Sequence, residues 1–99
     1  MVKAIRITET GKANVMKFVD VELKSLAPNE VLIKNKAIGL NYIDVYHRSG
    51  TYPLPLPTGI GLEAAGVIED VGSAVTEFKV GDRVAHASAP PGAYSEKQV

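Results

Sequence analysis

Most of the side chains that could bind a ligand in this chain fall in one stretch, from Asn35 to Pro57. Its polar and aromatic members include Asn41, Asp44, Tyr46 and Tyr52. Amide and phenol groups donate and accept hydrogen bonds, and aromatic faces favour contact with flat rings. This stretch is therefore the candidate binding site, and we interpret the flanking segments as its scaffold.

Other chemistry has less support in the residues. Glu63 is the single carboxylate of a glycine-spaced apolar run, and we interpret it as buried and paired, with Arg48 or Arg83, rather than catalytic. His47 and His86 have no Cys or acidic neighbour at a metal-ligand spacing, so we interpret them as solvated or structurally satisfied. No serine has the sequence context of an activated nucleophile.

Composition indicates one globular domain spanning residues 1–99. Eleven basic and eleven acidic residues cancel and are interspersed, which argues against a nucleic-acid or anionic-membrane partner. The absence of cysteine excludes disulfides and thiolate metal sites within this sequence. The N-terminus does not resemble a signal peptide, and no apolar run is long enough to span a bilayer, so we expect a cytoplasmic protein.

Apolar alternation predicts six or seven short strands. Lys3–Thr8 and Glu30–Leu40 alternate clearly, whereas Met16–Leu23 slips in phase at Val19–Asp20, as an edge strand with a bulge would. Residues 63–71 contain helix formers but also fit a strand. A further strand follows the turn at residues 80–82, and residues 92–99 begin another alternating run.

One short helix is predicted within Asn41–Arg48, stabilised by packing because it is too short to form alone. Asn41 is its expected N-cap, with Asp44 as a capping-box partner, and Ser49–Gly50 ends it. The proline-rich residues 52–57 then form an extended surface loop, interpreted as the border of a cleft rather than as a polyproline ligand. The fold class is therefore mainly β, a partly open barrel or twisted sheets with one or two short helices.

Four segments occur in the order found in one enzyme family: Ala37–Pro53, Gly59–Gly72, Phe78–Val84 and Gly92–Glu96. In this the chain resembles the medium-chain dehydrogenase/reductases of the quinone oxidoreductase type, and most of all the bacterial NADPH-dependent ones. The resemblance implies an N-terminal GroES-like β domain, which in the family precedes a Rossmann domain that holds most of the cofactor.

The resemblance also implies roles for the central stretch. The residues that would border the NADPH nicotinamide are Asn41, Tyr42, Ile43, Asp44, Val45 and Tyr46. Tyr46 and Tyr52 would help to form the pocket of a quinone-like substrate. The cofactor would supply the reaction chemistry, and the protein would supply distance, orientation and exclusion of water.

Departures from the zinc-dependent relatives predict that no metal is bound. These relatives place Cys where this chain has Asn41 and His where it has Leu62, and neither replacement is a good zinc ligand. The four-cysteine structural zinc lobe would correspond only to Ser88–Pro91. The resemblance is therefore to the zinc-independent branch.

The sequence holds no Gly-x-Gly-x-x-Gly in a strand-to-helix context, so the family's Rossmann domain is absent from these 99 residues. The expected function is that of a substrate-side domain, acting in a complete enzyme that transfers hydride from NADPH to a quinone or conjugated carbonyl. Alternatives are a stand-alone inactive GroES-like fragment or a small oligomeric binding module. Without its Rossmann partner the fragment is expected to bind NADPH weakly or not at all, and its exposed docking face favours self-association.

Overall fold

Two small antiparallel sheets form the framework of the protein. A computed structural model describes residues 1–88 and 90–99. Ala89, within the segment that the sequence relates to the zinc lobe, lies outside the described residues. The strands are β1 Val2–Ile7, β2 Lys17–Val21, β3 Val31–Ile38, β4 Thr58–Gly59, β5 Glu63–Val71, β6 Arg83–Ala87 and β7 Lys97–Gln98.

One sheet has the strand order β2-β1-β4 and the other β6-β5-β3-β7. A single bridge between Ala4 and Ser95 links the first sheet to the segment before β7. One α-helix, α1 Tyr42–Ser49, and one 3-10 turn, Ala13–Val15, complete the described elements. The prediction of a mainly β, open architecture with one or two short helices is confirmed.

The core follows from the alternation of side chains in β1 and β5. Ala64, Gly66 and Ile68 are buried in β5, as residues two apart on one face of a strand should be. The fully buried Ile7 of β1 joins Val15 and Ile60 in one cluster, against which Met16 and Tyr94 pack. Segment 63–71, which the sequence left open between helix and strand, is a strand because it pairs with both β3 and β6.

One local expectation, the bulge in β2, was wrong. β2 is an edge strand, but its pairing with β1 runs without a shift from Val2–Val21 to Arg6–Lys17, so it has no bulge. The register shifts occur in the pairing of β3 with β5 instead. The run 92–99 pairs as a strand at Lys97–Gln98, and before it through the bridge between Ser95 and Ala4 of β1.

Candidate functional site

Helix α1 begins shortly after the end of β3, close to the start of β5. The candidate site therefore lies at one end of the second sheet. After β3 ends, Gly39 N–H donates to the carbonyl of Glu63 at 2.9 Å, joining the linker to the first residue of β5. Asn41 then takes the N-cap position with extended backbone, and its N–H donates to Asp44 Oδ2 at 3.1 Å. Gly50, in the left-handed conformation, ends the helix. The predicted cap, capping-box partner and helix end are confirmed.

Asp44 is the most deeply buried polar residue of the helix. Its side chain is 2 % exposed, and Oδ2 accepts a second hydrogen bond from the Tyr94 hydroxyl at 2.7 Å. Its other oxygen, Oδ1, is buried without a partner among the described residues. The carboxylate therefore ties the start of α1 to the segment before β7, and it faces the protein interior.

Two aromatic side chains of the candidate pocket meet. The rings of Tyr46 and Tyr52 lie 5.4 Å apart between centroids at an interplanar angle of 87°, an edge-to-face pair. Tyr52 N–H also donates to the carbonyl of Tyr46 at 3.2 Å, which holds the loop against the end of the helix. Both rings are accessible, with 40 % and 53 % of their surface exposed. The structure thus brings together the two residues that the sequence assigned to a substrate pocket.

The remaining residues of the predicted cofactor set divide between the interior and the surface. Tyr42 is 82 % exposed and Asn41 is also exposed, whereas Ile43 and Val45 are half-buried on the helix. Consequently Asn41, Tyr42 and Tyr46 present side chains outward, and Asp44 does not.

Glu63 is not the buried, arginine-paired group expected from the sequence. It is exposed because it lies on the face of β5 opposite to the buried Ala64, and its Oε2 accepts from Asn41 Nδ2 at 2.9 Å. Arg48 instead donates from Nε to the carbonyl of Gly11 at 3.2 Å, and Arg83 is exposed. The side chain of Glu63 therefore bonds to the N-cap residue of α1 and not to an arginine.

The two histidines lie apart from each other in different surroundings. His47, on the inner face of α1, is buried, and its Nδ1 has no partner among residues 1–88 and 90–99. His86 in β6 lies 3.2 Å through Nε2 from Gln98 Oε1. His86 also borders a groove of about 540 Å³, which is lined by alanines of β3, β5 and β6 and by Glu63.

In the described part of the chain, no three His, Cys, Asp or Glu side chains are grouped closely enough to hold a metal ion. Within the same residues, no helix is long and apolar enough to cross a membrane.

Comparison with known proteins assigns the chain to a family. The model of the alcohol dehydrogenase GroES-like domain matches residues 27–98. The chain belongs to this family. Its GroES-like fold is accordingly the one expected from the order of its motifs.

The chain is similar to part of several longer proteins. The chain is 53 % identical over 100 residues to a quinone oxidoreductase of Pseudomonas aeruginosa, covering 100 % of this chain and 31 % of that protein. A crystal structure of the Pseudomonas syringae quinone oxidoreductase superposes with a TM-score of 0.96 and 54 % identity, over 99 % of this chain and 30 % of that one. The Escherichia coli quinone oxidoreductase complexed with NADPH superposes with a TM-score of 0.93 and 45 % identity, over 97 % and 30 %. The chain therefore spans about a third of these enzymes and corresponds to their N-terminal domain.

Sequence reasoning missed Tyr94 as a partner of the site. Its motif was visible at residues 92–96, but the bond to Asp44 joins positions 50 apart in the chain. Asp44 could be inferred as an acceptor for Asn41 because the two residues have the spacing of a capping box. Tyr94 could be recognised as a donor to Asp44 only once the fold was known.

The pKa of the Tyr94 hydroxyl is raised well above its usual range, first because burial disfavours the phenolate and then because Asp44 accepts its proton and repels a second negative charge. Above about pH 10 the unfolded chain releases this proton while the folded chain retains it, so rising pH favours unfolding. The free energy of unfolding is expected to fall by at most about 1.4 kcal/mol per pH unit from this residue, and by less because solvent reaches the ring.

This alkaline slope can be measured by urea unfolding at about pH 9, 10 and 11. Tyr94→Phe removes the titrating hydroxyl, so its stability should fall less steeply over the same interval. Both proteins share every other ionisable residue, so the difference between their slopes reports on position 94. Parallel slopes for the two proteins would show that Tyr94 does not hold its proton more tightly in the folded state.

Proposed function

We propose that residues 1–99 form the substrate-side domain of an NADPH-dependent quinone oxidoreductase, in which hydride passes from NADPH to a quinone or a similar conjugated carbonyl. The observation that carries the proposal is the accessible edge-to-face pair of Tyr46 and Tyr52 beside the exposed cap of α1, in a chain about half identical to such enzymes. Aromatic edges and faces suit a flat quinone ring, and phenols can bond its oxygens.

The outward residues at the start of α1 fit the nicotinamide end of NADPH. Asn41 offers an amide, and Tyr42 and Tyr46 offer accessible rings and hydroxyls. Bound NADPH would supply the hydride, while these residues bind and orient the two reacting rings and exclude water from them. Ile43 and Val45 would border the cofactor as apolar surface. Asp44 would act indirectly, through the position of α1, because its carboxylate is buried.

Zinc-independent chemistry belongs to the same proposal, because Asn41 and Leu62 stand where zinc-dependent relatives have ligands and neither binds zinc well. A quinone also accepts hydride without a Lewis acid. We further propose a cytoplasmic location, as for an enzyme that uses NADPH. The highly exposed Leu40 and Tyr42 would meet the remainder of the complete enzyme, or a second copy of the fragment in its absence.

A chimera tests the function directly. This chain replaces the matching third of the Pseudomonas aeruginosa quinone oxidoreductase, and NADPH oxidation is followed with 1,4-benzoquinone as acceptor. The chimera should be active, and Tyr46→Ala or Tyr52→Ala should each lower kcat/KM for the quinone roughly tenfold by removing half of the aromatic pair.

Phe78→Ala is the matched control, since Phe78 is an exposed aromatic residue outside the site. Its kcat/KM should stay at the level of the chimera. An inactive, folded chimera would favour the stand-alone fragment or binding module instead. The 99-residue chain alone should bind NADPH weakly or not at all, and micromolar affinity in a titration would contradict its assignment as only part of the binding site.

A further inference from the structure

Asn41 and Glu63 form the one side-chain contact in the described residues that joins the cap of α1 to the start of β5. Asn41 Nδ2 donates to Glu63 Oε2 at 2.9 Å across 22 positions of sequence. The backbone reinforces it, because Gly39 N–H donates to the carbonyl of Glu63. A Cβ built at residue 39 would meet the Glu63 carboxylate, so a larger residue there would displace the carboxylate from this position. The carboxylate is therefore held against the linker that leads into the helix.

The chemistry of the two groups fixes the orientation of the amide. An ionised carboxylate only accepts hydrogen bonds, so the Asn41 amide must turn its nitrogen towards Glu63. The other end of the amide takes part in the capping box with the backbone N–H of Asp44. An amide nitrogen has two hydrogens, and no described residue accepts the second. Asn41 is exposed, so this hydrogen is available to a ligand as a donor.

We propose that Glu63 is a positioning residue that fixes Asn41 as a hydrogen-bond donor to a carbonyl oxygen of the bound ligands. This inference rests on the proposed function, and it deepens it by naming the chemistry that the cap of α1 recognises. Two sources supply such an oxygen: the quinone substrate and the carboxamide of the nicotinamide. A glutamine at position 63 could either donate or accept, so it would no longer select one orientation of the Asn41 amide.

The orientation is tested first without any ligand or turnover. In ¹⁵N–¹H spectra of the 99-residue chain, Glu63→Gln should move the Asn41 side-chain amide signals, because the carboxylate that accepts from Asn41 Nδ2 is removed. Glu77→Gln, which removes an exposed carboxylate outside the site, should leave these signals unchanged. If the Asn41 signals do not change when the Glu63 carboxylate is removed, the inference is overturned, and this result does not depend on enzymatic activity.

The kinetic arm uses the active chimera. Glu63→Gln should lower kcat/KM roughly five- to tenfold, the effect of one hydrogen bond that is no longer oriented, and Glu63→Asp should restore part of it. If only the KM for 1,4-benzoquinone rises, the oxygen that accepts from Asn41 belongs to the quinone. If only the KM for NADPH rises, it belongs to the nicotinamide carboxamide. Unchanged kinetics in Glu63→Gln would overturn the inference alone. An inactive chimera would overturn the proposed function and the ligand assignment with it, and the spectra would still report on the contact between Asn41 and Glu63.

Discussion

Gly66→Ala is expected to lower the free energy of unfolding by about 3 kcal/mol or more. Gly66 is buried in β5 and pairs with Asn35 of β3. A Cβ at this position would collide with the carbonyl oxygen of Lys34 and lie 2.9 Å from Ile33 Cγ2. The carbonyl cannot move aside, because it belongs to the backbone of the neighbouring strand.

Urea unfolding monitored by circular dichroism measures this change. Gly81→Ala is the matched control. Nothing lies within 4 Å of a Cβ at Gly81, but its φ of 96° is unfavourable for alanine, so a loss of about 1–2 kcal/mol from backbone strain alone is expected. If Gly66→Ala were no worse than this control, the close approach of β3 and β5 would not be a constraint on the fold.

The contact at Gly66 bears on function because the pairing of β3 with β5 places the site. The register ends with Ile38 opposite Ala64, which brings the linker after β3 beside Glu63. A shift of one residue in this pairing would turn Glu63 to the other face of the sheet, away from Asn41. A variant at Gly66 that remains folded should therefore also weaken the coupling between these two side chains.

Local patterns in the sequence were sufficient for the helix. Asn41, Asp44 and Gly50 define its ends through interactions within three or four residues, so spacing alone indicates them. The aromatic pair was also accessible to sequence reasoning, since Tyr46 and Tyr52 are six positions apart and flank the end of the helix. Their assignment to a pocket nevertheless came from resemblance to a family and not from spacing.

Longer contacts were not accessible in the same way. Glu63 looked like a buried group because its neighbours are small and apolar, but strand alternation puts it on the outer face. Whether 63–71 is a helix or a strand depends on partners at residues 31–38 and 83–87, which no local window contains. The open interpretation at that segment and the wrong one at Glu63 thus have one cause, the dependence of β-structure on distant strands.

Tyr94→Phe is expected to lower the free energy of unfolding by roughly 2–3 kcal/mol at neutral pH. The hydroxyl is one of two donors to Asp44 Oδ2, the other being Asn41 N–H. Phenylalanine keeps the ring that packs on Ile7, Val15 and Ile60, so the loss isolates the hydrogen bond. Because Asp44 is 2 % exposed, water cannot readily replace the missing donor.

A double-mutant cycle shows how much of this loss is due to charge. Asp44→Asn keeps an oxygen that accepts from Asn41 and Tyr94 but removes the negative charge, so Tyr94→Phe should cost only about 0.5–1.5 kcal/mol in that background. The cost falls because a neutral acceptor loses less than a carboxylate when a donor is withdrawn in a buried site. Equal costs in both backgrounds, measured by urea unfolding, would mean that the charge of Asp44 does not contribute to the loss. A smaller cost in the Asp44→Asn background would instead show that the Tyr94 hydroxyl is needed because Asp44 is charged. The charged hydrogen bond between Tyr94 and Asp44 would then be the interaction that holds the start of α1 in place.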